Sequence, residues 1–332
     1  MKYKIALMIG GYSEENIISF QSGEHIYSIL DKNKYDLYKI FVDKKGWYYF
    51  QKEMKKCFFI NKNDFSLKIL NQKILFDLVF ILIHGEPGEN GQIQAYLNIM
   101  NIPYIGPNYT NAVITINKRI SKMLLKQSDI DNLYLPCDFY YNKDNNINYI
   151  SKLIRYPFLI KPNNLGSSIG IQKIYNKKNL KKIIDISLLK YKDIYIEQYI
   201  KGREFSVSVF KNKDNDIIVL PITEIIHKRD FFDFQSKYKE ITLKITPCKL
   251  PKIDIIKLQN ISSKIYQFFN CNGIIRIDFI LESYTKRWFY LEINTIPGLS
   301  PNSITTHQIS KSKFSLKNMY EEMIENIISQ HN

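Results

Sequence analysis

Glycine is scarce in this chain, thirteen in 332 residues, so where it falls is informative. Glycine admits left-handed backbone and lets a ligand come close. Eight of the thirteen sit in four short stretches beside apolar segments: Gly10 and Gly11; Gly85, Gly88 and Gly91; Gly166 and Gly170; Gly298. Ordinary turns also use glycine, but clustering at strand ends points to ligand-binding loops. Cysteine is scarcer still. Cys57, Cys137, Cys248 and Cys271 lie far apart with no CxxC pair, which excludes a zinc cluster or a disulfide framework. Reduced, mostly buried thiols are the expectation. No apolar run exceeds about six residues, Leu78 to Ile83, where a membrane helix needs roughly 20. The apolar stretch behind Lys2 and Lys4 ends at Gly10-Gly11, too short for a secretory core. A soluble, cytoplasmic protein with no membrane partner is expected. Two phosphate signatures, GxxxxGK[ST] and GxGxxG, are missing as well.

Arginine is the other deficit: six against 41 lysines, within a net charge of +15. The lysines are spread along the whole chain and form no basic stripe with interleaved aromatics. With abundant Ile, Asn and Tyr, this composition resembles the coding bias of an AT-rich genome. A lysine-rich surface suited to anionic substrates is the reading, with no nucleic-acid partner. A basic RNA- or DNA-binding protein is the non-enzyme alternative, and its binding would fall steeply with salt.

Strands alternate with helices at the start. Tyr3–Ile9 reads as a buried strand, a helix follows Ser13 as its cap with Glu14 and Glu15 in the first turn, and strands recur near Tyr38–Val42 and Leu78–Ile83. After the loop His84 to Gly91 a helix runs to Met100. This predicts a doubly wound parallel α/β domain over 1–106. A helix near Asn111–Lys126 opens a central unit, 107–197, with strands Phe158–Lys161 and Ile171–Tyr175 around a glycine loop. From 198 to 332 strands dominate: Glu204–Phe210, Ile217–Ile226, Gly273–Leu281 and Phe289–Thr295, with helices near 252–270 and 314–329 and a long polar connection from His227 to Cys248. The fold class is therefore α/β joined to α+β.

The sharpest chemical signal is the C-terminal hairpin. Arg276 and Asp278 share one strand face, as do Glu292 and Asn294. A turn spanning Glu282 to Arg287 pairs residues whose numbers sum to about 570, so Asp278 faces Glu292 and Arg276 faces Asn294, with Cβ atoms ~5 Å apart. Opposed carboxylates repel, and a hard cation such as Mg²⁺, which takes oxygen ligands at ~2.1 Å, resolves this. A salt-bridge network on a solvated face is the bland alternative; the apolar flanks argue against it. The second signal is Lys161 at a strand end before Asn163-Asn164-Leu165-Gly166-Ser167-Ser168-Ile169-Gly170, a small-residue loop able to wrap phosphates. A Ser-Gly hairpin turn would look similar. The third is Glu197-Gln198-Tyr199-Ile200 with Glu204, which has the makings of an adenine hinge and is otherwise an ordinary strand and turn.

Together these segments resemble the ATP-grasp fold, and the whole chain resembles the D-alanine–D-alanine ligase family. The resemblance also rests on Gly10-Gly11-Tyr12-Ser13-Glu14-Glu15, His84-Gly85, Gly88-Glu89-Asn90-Gly91, Asn117-Lys118, Phe232 to Tyr238, and Glu292 to Gly298, in the family's order. It implies an N-terminal pre-ATP-grasp domain, ATP as co-substrate and two Mg²⁺ (Mn²⁺ may substitute) on Asp278, Glu292 and Asn294. Lys118, Lys161 and Lys237 would contact phosphates together with Ser167 and Ser168. Glu197, Gln198, Tyr199 and Ile200 would meet the base, and Glu204 the ribose. Glu15 beside His84 would hold the first D-alanine, with Ser303 and Ile304 at the second. Tyr238 would bond to Ser167 and Glu15, closing the loop Phe231–Lys239 over the site. A homodimer and a place in peptidoglycan precursor synthesis are further implications. Departures are Asn16-Ile17-Ile18, where the family carries another charge, and Ile296, where it carries a smaller residue.

The mechanism implied is carboxylate phosphorylation, then attack by an amine on the acyl phosphate. Arg276 and the Gly298 N–H are the candidate oxyanion donors. Another ATP-grasp carboxylate–amine ligase, or a D-alanine–D-lactate ligase, is the enzyme alternative.

Overall fold

Strand β1 (Tyr3–Gly10) is buried from Ile5 onward, because both faces of the sheet around it are covered. The computed structural model describes residues 2–141, 150, 152–166, 169–227 and 242–331. Helix α1 (Asn16–Ile29) follows β1 and leads to β2 (Tyr35–Asp43), which pairs with β1 in parallel. The helix begins later than expected. Ser13 does not cap it: its hydroxyl donates to the His84 carbonyl at 3.0 Å, and Glu15 takes the cap position without a side-chain cap bond.

After β2 the chain turns back repeatedly through β3 (Gly46–Gln51), β4 (Lys56–Asn61), β5 (Ser66–Ile69) and β6 (Gln72–Ile74), all antiparallel. Then β7 (Leu78–Ile81), α2 (Gln92–Ile99) and β8 (Tyr104–Ile105) restore the parallel pattern. The sheet order is β6-β5-β4-β3-β2-β1-β7-β8, so the parallel sheet carries an antiparallel extension absent from the sequence reading. The reason is local. Asp43 accepts from the Lys45 and Gly46 N–H groups, a two-residue turn far too short for a parallel crossover.

The single helix expected over Asn111–Lys126 is two, α3 (Tyr109–Ile116) and α4 (Lys118–Leu125). Asn117 breaks it: its side chain accepts from the Ile120 N–H at 2.9 Å and caps α4. The chain continues through β9 (Leu133–Tyr134), β10 (Asp138–Tyr140), β11 (Phe158–Pro162), β12 (Gln172–Ile174), α5 (Leu180–Tyr191) and β13 (Ile194–Gln198). A four-stranded sheet of order β10-β13-β11-β12 results, with α5 packed on Phe158, Ile160 and Ile196.

Beyond it lie β14 (Gly202–Lys211), β15 (Ile217–Val219), β16 (Thr223–Ile226), β17 (Leu243–Ile245), α6 (Lys252–Phe268), β18 (Ile275–Glu282), β19 (Trp288–Asn294), α7 (Ile304–Ser310) and α8 (Leu316–His331). The third sheet runs β17-β16-β14-β18-β19-β9, with β15 also on β14. The strand expected over Ile217–Ile226 is thus two. Where β15 and β16 separate, a side chain completes the ladder: Gln308 donates to the Ser206 carbonyl at 2.8 Å and accepts from the Ser208 N–H at 3.1 Å. Helix α6 covers this sheet through Leu258, Ile261 and Ile265. Helix α8 returns to the first sheet, where Met319, Tyr320 and Ile324 share a core with Ile5, Leu7 and Phe80. Of the thiols, Cys248 and Cys271 are buried, but Cys57 and Cys137 are exposed, so burial holds for half of them.

Candidate active site

The hairpin β18–β19 has the expected register: Arg276 pairs with Asn294 and Asp278 with Glu292, and a bulge follows Asp278. Apolar neighbours on the other face, Ile275, Ile277 and Phe279, anchor the strand in the core and leave the polar set on the site face. Asp278 is held from three sides. The Arg276 guanidinium grips both oxygens (Nε to Oδ1 3.0 Å, Nη2 to Oδ2 2.8 Å), the Ser206 hydroxyl donates to Oδ1, and the Asn294 amide donates to Oδ2 at 3.2 Å. Glu292 has its own cation, Lys118 Nζ, at 3.4 Å. Each carboxylate of the opposed pair thus has a cation of its own, Arg276 on Asp278 and Lys118 on Glu292. Electrostatic repulsion alone does not demand a metal here.

Lys118 opens α4 and also donates to the Leu165 carbonyl, in the loop that follows β11. It thereby joins the second sheet to the third. Four residues on, the same helix face carries Lys122, which is fully buried. Its ammonium donates to Glu197 Oε1 and to the Tyr195 hydroxyl. Lys161 donates to Glu197 Oε2, so both oxygens of this buried carboxylate rest on ammonium groups. Burial pulls Lys161 down to about 8 and pulls Lys122 well below the ordinary lysine range, with the Lys161 charge the second cause for Lys122.

The hinge after β13 is tied down at Gln198, whose side chain accepts from the Cys137 N–H at 3.2 Å and whose own N–H donates back to the Cys137 carbonyl. Lys173 sits over the Tyr199 ring at 3.4 Å, and Ile200 is buried. Glu204, at the start of β14, meets His227 Nε2 at 2.9 Å.

Glu15 leaves its helix end free of a cap bond and turns toward two glycine backbones. A Cβ built on Gly166 would lie 3.6 Å from both its carboxylate oxygens, and one on Gly85 3.8 Å from Oε2. His84 is buried close by. Burial holds its imidazole below the ordinary range, against the opposing pull of Glu15, and Nε2 has no hydrogen-bond partner among the described residues. Glu89 accepts from the Gly85 N–H at 2.7 Å; burial, then the Glu15 charge, pushes it up to about 7. Ser303 is the cap of α7, accepting from the Thr306 N–H at 3.2 Å with Ile304 next in the helix, and Gly298 lies against Ser303 and Ile18. Ser167, Ser168, Lys237 and Tyr238 lie outside the described residues.

The sequence reading missed Lys122, Glu89, Ser206 and His227. Lys122 had one available signal, its spacing of four from Lys118 on a helix. Glu89 stands in Gly88-Glu89-Asn90-Gly91, but its half-buried position is a tertiary property.

Among the described residues no three His, Cys, Asp or Glu side chains group as a metal site. Asp278, Glu292 and the Asn294 amide form a hard-oxygen donor set of two carboxylates and a carbonyl. That suits Mg²⁺, which takes one or two carboxylates and completes its shell with phosphate and water.

Two largely antiparallel sheets joined at Lys118, one carrying Lys161 and Glu197 and the other Glu204, Asp278 and Glu292, define an ATP-grasp ligase behind an α/β domain. The chain belongs to the D-alanine–D-alanine ligase family. Residues 4–107 match the family model of the D-ala D-ala ligase N-terminus and residues 133–327 that of its C-terminus. The D-alanine–D-alanine ligase of Azobacteroides pseudotrichonymphae is 37% identical over 324 residues, covering 97% of this chain and 99% of the relative. That of Flavobacterium johnsoniae is 36% identical over 323 residues, covering 97% and 98%. In fold, the chain is similar to the D-alanine–D-alanine ligase of Coxiella burnetii (TM-score 0.86, 24% identity, 99% and 95% covered). It is equally similar to the VanG D-Ala:D-Ser ligase of Enterococcus faecalis (TM-score 0.85, 24% identity, 98% and 100% covered). No helix among the described residues is long and apolar enough to cross a membrane.

Proposed function

We propose that this chain joins two D-alanines into D-alanyl-D-alanine, with cleavage of ATP to ADP and phosphate, for peptidoglycan precursor synthesis. The observation that carries the reading is Lys118, which contacts the loop after β11 and Glu292 at once. A γ-phosphate lying between those sheets would meet an ammonium already in place. Lys161 and Lys118 are the cations for the phosphates, Glu204 the ribose acceptor, and the 198–200 backbone the base contact. Asp278, Glu292 and Asn294 would hold Mg²⁺, which when bound would neutralise phosphate oxygens.

Glu15 would take the ammonium of the first D-alanine, with His84, whose imidazole burial holds below the ordinary range, beside it. The carboxylate oxygen of that D-alanine attacks the γ-phosphorus, the bond to ADP breaks, and an acyl phosphate results. The amine of the second D-alanine, its carboxylate toward Ser303, then attacks the carbonyl carbon. Phosphate leaves with the original carboxylate oxygen and the nitrogen loses a proton. Arg276, oriented by its two bonds to Asp278, and the Gly298 N–H are the proposed oxyanion donors. The same reading divides the chain at 106 and 197, one sheet to each unit, with β9 on β19 and α8 under β1 tying the units together.

The test is ADP release from ATP and Mg²⁺ across a panel of D- and L-amino acids and D-lactate. D-alanine alone should support release, with D-alanyl-D-alanine as product. Release with another acid, and none with D-alanine, would overturn the assignment.

A further inference from the structure

Glu197 is 1% exposed and carries two ammonium groups, one more than its own charge requires. A buried carboxylate needs one counter-ion, so the second lysine calls for a reason. The two are not equivalent. Lys122, on α4, lies at 0% exposure, pinned by Glu197 Oε1 and by the Tyr195 hydroxyl at 3.3 Å. Lys161 lies at the end of β11, next to the segment 163–166, and its side chain retains 9% exposure. Tyr195 itself bonds to Glu197 Oε1 at 3.3 Å, so Oε1 is fully engaged on the buried side while Oε2 rests on Lys161.

We propose that Lys122 is a positioning residue for nucleotide binding: it is the standing counter-ion of Glu197, and it frees Lys161 to leave that carboxylate for a phosphate of bound ATP. This rests on the reading of the cleft as an ATP site. Without Lys122, any movement of Lys161 toward phosphate strands an unpaired carboxylate in the interior. With it, Glu197 stays neutralised, and Oε2 becomes free to accept from the amino group of the base as Lys161 departs. Lys122 touches neither ligand. Asp138, opposite Glu197 in the register, and Glu292 also act on Lys122 through their charge, but Asp138 is paired with Lys126 and Glu292 with Lys118, and neither is a counter-ion bonded to Oε1.

The experiment is a double-mutant comparison in the full chain, with Kd for ATP in the presence of Mg²⁺ measured by calorimetry and KM and kcat alongside. Lys122→Met in the parent should raise Kd and KM for ATP about tenfold or more, the effect of one charge-assisted contact withheld, while KM for D-alanine stays put. In the Glu197→Gln background no carboxylate can be stranded, and Lys122→Met there removes a buried ammonium that has itself lost its partner, so the same change should move Kd by less than about threefold. If the single Met variant does not fold, the Gln background still decides: a large loss of ATP binding there overturns the proposal. Equal losses in both backgrounds, or a lowered melting temperature with Kd and KM for ATP unchanged, also overturn it. A parent chain that binds no ATP would instead remove the functional reading beneath it.

Discussion

Asp278 stands opposite Glu292 across the β18–β19 hairpin, and each carboxylate has a cation of its own, Arg276 on one and Lys118 on the other. The two cations come from different places. Arg276 is two residues away on the same strand, whereas Lys118 arrives from α4, more than 170 residues earlier in the chain. The pair is thus poised between sheets, with Asp278 locked in place by three partners and Glu292 on the accessible edge.

Glu292→Gln keeps the shape and hydrogen-bonding capacity of the side chain and removes one negative charge. We expect kcat to fall on the order of 100-fold, as for loss of a metal-binding carboxylate, with a melting temperature close to the parent's. Near-normal turnover in this variant would show that Glu292 is only the partner of Lys118.

The acyl-phosphate route predicts the fate of an oxygen atom. With the carboxylate of D-alanine labelled by ¹⁸O, one label per turnover should leave in inorganic phosphate. Label found in AMP, or retained wholly in the dipeptide, would show a different activation.

Glu89 gives a pH signature. Its ordinary value is 4.5, and burial raises it to about 7 in the folded chain. Between these values the folded state holds a proton that the unfolded chain has released. Stability from this group is therefore full below about 4.5 and is lost as pH rises toward 7, by at most about 1.4 kcal/mol per pH unit. Glu89→Gln lacks that slope. Its melting temperature should gain on the parent's from pH 4.5 to 7 and hold a constant lead above. A lead that is the same at pH 5 and pH 7.5 would remove Glu89 as the titrating group.

Gly88 tests the loop that carries His84 and Glu89. A Cβ there would lie 2.2 Å from the Ile83 carbonyl oxygen, a backbone atom unable to yield without moving the loop. Gly88→Ala should cost about 1–3 kcal/mol of stability, as overpacking does, and raise KM for D-alanine more than KM for ATP. Urea unfolding and the two KM values decide it; an unchanged KM for D-alanine would separate this loop from the first substrate.

What was legible in the sequence was whatever rests on short-range periodicity. The period of two in Arg276-Ile277-Asp278 and Glu292-Ile293-Asn294, with one turn between them, determined the hairpin register, because side chains alternate faces and a two-strand turn sets the pairing. The order of the motifs determined the family. Helix starts were less legible, since Ser13 and Asn117 each had a partner choice that local sequence does not reveal. Only the tertiary structure decided which charges meet. Lys122, Lys161 and Glu197 come from three elements, and Lys118 reaches Glu292 from helix α4. Burial decided their chemistry as well: removal from water, which no residue encodes alone, is what lowers Lys161, raises Glu89 and makes a second counter-ion for Glu197 matter.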